Sequence, residues 1–170
     1  KNIVSDVYTI REKKTKKRKF NIFSDEKLFS IFSCPVSFNS LINFIKLKNN
    51  YDFFNFHFPW PYMDILSLFV NKKKIIITYH ADIVEKNLIY YLYFPLMMFF
   101  LYRANKIIVT SENYLNSSKI LKFFLKKIEI IPIGIKKRNK LLKTNKKFDL
   151  YKKKKYFIFI GNLRKYKGLK

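Results

Sequence analysis

From residue 51 onward the chain alternates between short β-branched or aromatic runs and longer apolar segments of helical character. The runs at 51–58, 74–79, 106–110 and 128–133 read as strands, and the segments at 61–70, 85–103 and 112–127 read as helices. Strand and helix in repeated alternation predict an α/β fold with a parallel sheet and right-handed crossovers. Continuous apolar strands such as "IIIT" and "IIVT" suit a sheet with helices on both faces. The last helix has the clearest ends: Thr110 or Ser111 supplies a cap, Glu112 opens the first turn, and Lys126 and Lys127 close the last. Tyr114, Ser118, Leu121 and Leu125 would share one of its faces.

Before residue 51 the pattern is less regular. "VSDVYTI" predicts a strand, "KKTKKRK" a solvated turn, and residues 38–47 a short helix after Pro35. After Gly134 comes a basic stretch poor in apolar pattern, 136–154, which reads as a linker. "YFIFIG" then opens a new strand, so the expected organisation is a domain over 1–135 and the start of a second over 155–170. A single strand of a second domain has nothing to pair with, and the expectation is a chain cut short.

The two histidines both fall at strand ends: His57 in "YDFFNFHFPWP" and His80 in "IIITYHADIV". In open parallel sheets ligands bind at the carboxyl ends of the strands. Ser111, Gly134 and Gly161 close the other strands in the same way, so these residues should line one edge of the sheet.

Composition changes this picture in one respect. The 170 residues are 49% hydrophobic and 28% charged, a globular balance, yet the formal net charge is +25. Such a charge suits an anionic partner, whether nucleic acid, membrane surface or phosphorylated substrate. However, the cations are 31 Lys against 5 Arg, amid abundant Ile, Asn, Phe and Tyr and only two alanines. A/T-rich codons produce that bias without selection for binding. Arginine, the better fork for phosphate and base edges, is scarce, and the aromatics fall inside core-like runs, so no nucleic-acid partner is expected. The single Cys34 fits a reducing, cytoplasmic compartment. The apolar stretch at 88–102 is too short to span a bilayer and contains Pro95, so it predicts a buried or membrane-grazing helix.

Most catalytic constellations are missing from the sequence. One Cys and two His without paired spacing offer no zinc set, and no metal site is expected. There is no G-x-S-x-G, no G-x-G-x-x-G and no P-loop among three glycines.

Five segments taken together are more informative. "YDFFNFHFPWP", "IIITYHADIV", "YFPLMMFFLYRANKIIVTSENYLNSS", "KIEIIPIGI" and "YFIFIGNLRKYKGLK" follow one another in the order found in retaining GT-B glycosyltransferases of family four. Over residues 35–170 the chain resembles the mannosyl- or rhamnosyltransferase-type members that build lipopolysaccharide and O-antigen chains. The resemblance implies a Rossmann-like N-terminal domain holding the acceptor, with a truncated C-terminal domain that would hold a nucleotide-diphosphate sugar. No cofactor is implied. His80 matches the catalytic histidine that faces the donor sugar, and His57 a residue lining the same cleft. Asp82 and Ser111 fall among the substrate-side positions, although each also reads as a helix cap. In "GNLRKYKG", Gly161, Arg164 and Lys167 match the clamp on the donor diphosphate. Asn162 stands where many relatives have arginine, and Arg164 is expected to replace it. The implied partners are a nucleotide sugar, a glycan or lipid-linked glycan acceptor and an anionic membrane surface, at the inner face of the cytoplasmic membrane. Two rival readings stay open: a non-catalytic remnant of such a gene, and a basic nucleic-acid-binding protein.

Overall fold

A computed structural model describes residues 3–11, 21–31, 34–84 and 87–134. One compact unit extends through Pro132. Its centre is a four-stranded parallel sheet whose strands lie side by side in chain order. The elements before it are β1 (Val7–Arg11), β2 (Ile22–Glu26), β3 (Phe29–Ile31), β4 (Cys34–Val36) and α1 (Phe38–Leu47). Strand β1 pairs with β2 in parallel, and β3 with β4 antiparallel. The sheet itself is β5 (Phe54–Phe58), β6 (Ile75–Tyr79), β7 (Lys106–Val109) and β8 (Ile128–Ile130). Helices α2 (Pro61–Ser67), α3 (Leu88–Arg103) and α4 (Glu112–Ser117) occupy the crossovers.

The alternating α/β reading therefore holds: a parallel sheet flanked by helices, as in a Rossmann-like domain. The distribution of helices differs from the expectation. Phe56, Phe58, Ile75, Ile77, Tyr79, Ile107 and Val109 are all buried, whereas Asn55 and His57 on the alternate face are exposed and Ile76, Thr78 and Ile108 only half-buried. Among the described residues, every ring contact between a helix and the sheet falls on the first face: Phe44 of α1 on Phe54 and Phe56, Phe100 of α3 on Phe56, and Tyr114 of α4 on Tyr79. Strand order explains this one-sidedness. Each crossover advances one strand in the same direction, and right-handed connections that never reverse put their helices on one side. The apolar runs "IIIT" and "IIVT" are thus buried at alternate positions.

The long apolar segment forms a helix straight through Pro95, capped by the Asn87 side chain, which accepts from the Tyr90 N–H at 3.0 Å. No helix among the described residues is long and apolar enough to cross a membrane.

The helix predicted over 112–127 is divided. Helix α4 ends at Ser117, Ser118 turns extended (φ −79°, ψ 122°), and a 3₁₀ segment, Leu121–Lys127, completes the connection. The run Asn116-Ser117-Ser118 has side chains that compete with helical hydrogen bonding. Ser118 Oγ donates to Asp82 at 2.8 Å and accepts from the Leu121 N–H at 3.3 Å, which favours the break over another helical turn. Leu121 and Phe124 still reach the core from the 3₁₀ segment.

The predicted turn "KKTKKRK", the linker and the "YFIFIG" strand lie outside the described residues. The irregular N-terminal region instead contains strands β1 to β4, of which only the first was predicted.

Candidate functional site

Parallel pairing places the two histidines side by side. His57 is opposite Thr78 in the β5–β6 register, and the His80 N–H donates to the Phe58 carbonyl at 3.0 Å, extending the ladder by one residue. Both imidazoles therefore leave the sheet at its carboxyl edge on the half-open face. Their planes are nearly parallel, at 10°, with centroids 5.0 Å apart, and His57 Nδ1 lies 2.7 Å from His80 Nε2. One nitrogen must donate and the other accept, so the bond exists only when the pair retains at least one unprotonated nitrogen at the contact. The partial desolvation of the His57 ring, followed by the charge on His80, lowers the His57 pKa from its ordinary value of 6.5. Both effects favour the neutral ring. His57 Nε2 and His80 Nδ1 are not used in this bond.

Below the pair on the same face, Thr78 Oγ1 donates to Asn55 Oδ1 at 2.8 Å. A cis peptide joins Phe58 to Pro59 as the chain leaves β5. Trp60 Nε1 then donates to the Pro35 carbonyl at 3.2 Å, tying this turn to β4.

Asp82 has a different role from the helix cap its position suggested. The cap of α3 is Asn87. Asp82 Oδ1 instead accepts from three hydroxyls: Tyr79 at 2.8 Å, Ser118 at 2.8 Å and Tyr114 at 3.1 Å. Burial, with the Asp82 carboxylate beside them, pushes the Tyr79 and Tyr114 pKa values well above the ordinary tyrosine range. These phenols stay protonated as donors, and Asp82 joins the end of β6 to α4 two residues beyond His80. Ser111 caps α4, its Oγ accepting from the Tyr114 N–H at 3.2 Å. Gly161, Arg164 and Lys167 lie outside the described residues. The structure thus brings together His57 and His80 and places Asp82 and Ser111 at the same sheet edge, while the three residues expected to clamp a diphosphate lie outside what it describes.

One buried acid escaped the sequence reading. Asp64 of α2 is fully buried; the Tyr93 hydroxyl donates to its Oδ2, and its Oδ1 has no partner among the described residues. Burial pushes its carboxyl pKa up from 3.8 to about 7, against a smaller lowering by Tyr93. The signal was present in "PYMDILSLF", where an acid sits beside Met63 and Leu66 on an apolar helix.

The fold and this edge define an α/β domain whose polar groups collect where a parallel sheet binds ligands. Comparison with known proteins narrows the class. The chain is 33% identical over 177 aligned positions to O-antigen chain mannosyltransferase C of Escherichia coli, which covers 99% of this chain and 47% of that protein. It is 33% identical over 130 positions to D-rhamnosyltransferase WbpZ of Pseudomonas aeruginosa, covering 74% of this chain and 34% of that protein. Both relatives are named as glycosyltransferases. The chain spans about half the length of the first and about a third of the second. No family model matches the chain, and no solved structure matches it.

Proposed function

We propose that this chain is the acceptor-side domain of a glycosyltransferase of GT-B architecture. The enzyme would move a mannose- or rhamnose-like hexose from a nucleoside-diphosphate sugar to a growing surface glycan, with retention and without a metal. The observation that carries this reading is the His57–His80 pair at the sheet's carboxyl edge. It lies inside a chain similar, over nearly all its length, to an O-antigen mannosyltransferase.

The chemistry assigns each group a task. The bond from the anomeric carbon to the diphosphate oxygen breaks as the acceptor hydroxyl bonds to the same carbon on the same face, and the acceptor proton leaves with the departing diphosphate. The transition state is oxocarbenium-like, with negative charge growing on the leaving group. Fixed cations and backbone N–H groups aimed at that charge provide the main stabilisation. Arg164, Lys167 and the backbone at Gly161 are assigned this part. His80, held in orientation by His57, turns its free Nδ1 to a donor-sugar hydroxyl. Asp82 holds the His80 turn in position through its three hydroxyl donors, and Ser111 lines the adjoining loop. The donor half of the site is assigned to sequence corresponding to the remainder of the longer relatives. Lipid-linked glycan is the proposed acceptor class.

Stereochemistry tests the mechanism. The full-length protein, given a nucleoside-diphosphate hexose and acceptor, should form a product with the donor's anomeric configuration, read by proton NMR coupling. Its turnover should be unchanged by EDTA. An inverted product, or turnover abolished by EDTA and restored by a divalent cation, would overturn this part of the reading.

A further inference from the structure

Strands β1–β2 and β5–β8 form separate hydrogen-bonded sets within one compact unit. The two sets nevertheless lie close together. The Phe44 ring of α1 meets Tyr8 of β1 at 5.7 Å and Phe54 and Phe56 of β5 at 5.6 and 6.2 Å between centroids. A cavity opens between the strands, with Val7 and Tyr8 on one wall and Asn55 and His57 on the other. Asp6, just before β1, accepts from the hydroxyl of Tyr51, just before β5, at 2.9 Å. Both strands therefore start at the same edge and run the same way.

Along a strand, successive residues turn their N–H and C=O groups to opposite sides. The Phe58 carbonyl receives the His80 N–H, so Phe54, Phe56 and Phe58 turn toward β6, and Asn55 and His57 turn away from it. In β1 the Val7 N–H donates to the Asn21 carbonyl at 2.9 Å, so Val7 and Thr9 turn toward β2, and Tyr8 and Ile10 turn away. Chirality fixes which way that is. Phe54, Phe56 and Phe58 have side chains on the core face and backbone groups directed toward β6. In a strand running the same way, Tyr8 and Ile10, also on the core face, must direct theirs toward β5. Both walls of the seam thus offer donors and acceptors at every second residue, with no backbone partner among the described residues. Backbone groups left unpaired away from water are rare in native folds.

We propose that the seam between β1 and β5 is an insertion site for one extended segment of the full-length protein, lying outside these 170 residues, which pairs with both strands and joins them into one continuous sheet. A small ligand does not match donors and acceptors that repeat every second residue along two walls, whereas a strand does so by its own geometry. A second copy could offer only the outer edge of a sheet, and the neighbour on that strand's other side would keep it from entering between β1 and β5. The chain length is available: the match covers 47% of the mannosyltransferase relative, so more than half of a protein of that length lies beyond it. A tethered segment also acts at high effective concentration. Both neighbours run the same way, which favours a parallel insertion. Pairing would hold the His57 backbone on the side that β6 does not reach, and so steady the His57–His80 pair.

Amide hydrogen exchange, resolved by NMR in the full-length protein, tests the insertion independently of any sugar transfer. The Tyr8, Ile10, Asn55 and His57 amides should exchange as slowly as that of Phe56, which pairs with β6, to within about tenfold. Nuclear Overhauser contacts should join them to a segment outside the 170 residues. Faster exchange at these four amides overturns the proposal. Slow exchange with contacts only to residues among the 170 overturns it as well. Contacts seen only between differently labelled copies would assign the seam to strand exchange between two molecules instead.

Discussion

Asp64→Asn is expected to stabilise the fold at pH 9 while slightly weakening it at pH 5. The cause is a fully buried acid with one oxygen unpartnered among the described residues. Its carboxyl pKa is raised in the folded state, from 3.8 to about 7. Stability from the neutral acid is therefore complete below the unfolded value and is lost as pH rises through about 7. Above that range the folded chain must either bury a carboxylate or open, whereas the unfolded chain hydrates it freely. The raised pKa corresponds to a loss of up to about 4 kcal/mol across the range. Asparagine removes the charge and still accepts from Tyr93, but buries an amide N–H, at a cost of about 1–3 kcal/mol. The net expectation is a gain of about 1–3 kcal/mol at pH 9 and a loss of about 1 kcal/mol at pH 5. Urea unfolding of both proteins at pH 5, 7 and 9 measures it. Parallel pH profiles for wild type and variant would refute the argument, because the difference between them isolates this one group.

The second large effect concerns transfer. His80→Ala in the full-length protein should lower kcat by about 10²–10³-fold, the scale for loss of one preorganised polar group acting on a transition state. His57→Ala should cost less, because it leaves the His80 ring present but unoriented. If the two act as one unit, the double variant should be no worse than His80→Ala alone. The pH profile distinguishes positioning from simple structural support. With the His57 pKa lowered below 6.5, its ring stays neutral into mild acid, and an acid limb of kcat set by His57 should lie below that ordinary imidazole value. Protonating the accepting nitrogen breaks the bond. A His80→Ala protein with wild-type turnover would remove the residue from the mechanism.

The same physics shows why some of the fold was legible in the sequence. Strands β5 to β8 could be read because apolar runs of limited length, separated by helical segments, have few other solutions. The histidines could be placed at one edge because parallel strands bring their carboxyl ends together. Their hydrogen bond was not readable, since it depends on the β5–β6 register opposing His57 to Thr78. The break at Ser118 was hidden for a similar reason. Its competing partner, Asp82, lies 36 residues away, and local pattern favoured one continuous helix. The cap reading of Asp82, one of two its position offers, rests on local pattern, whereas its Tyr114 and Ser118 donors arrive from another crossover. The one-sided placement of the helices followed from strand order, which alternation alone does not fix. Asp64 was visible as an acid in an apolar helix, but its burial required the packing of α2 against α3, where Tyr93 meets it.

The central claim is that sugar is transferred at the His57–His80 edge. It is tested most directly by supplying radiolabelled nucleoside-diphosphate mannose and rhamnose to the full-length protein with lipid-linked glycan acceptor. Wild type and the His57→Ala/His80→Ala double variant would be assayed side by side. The account predicts label in the lipid-extractable glycan from at least one donor with wild type, and near-complete loss with the double variant while its circular dichroism is unchanged. Equal incorporation by the two proteins, or none from either donor by a folded wild-type protein, would contradict it.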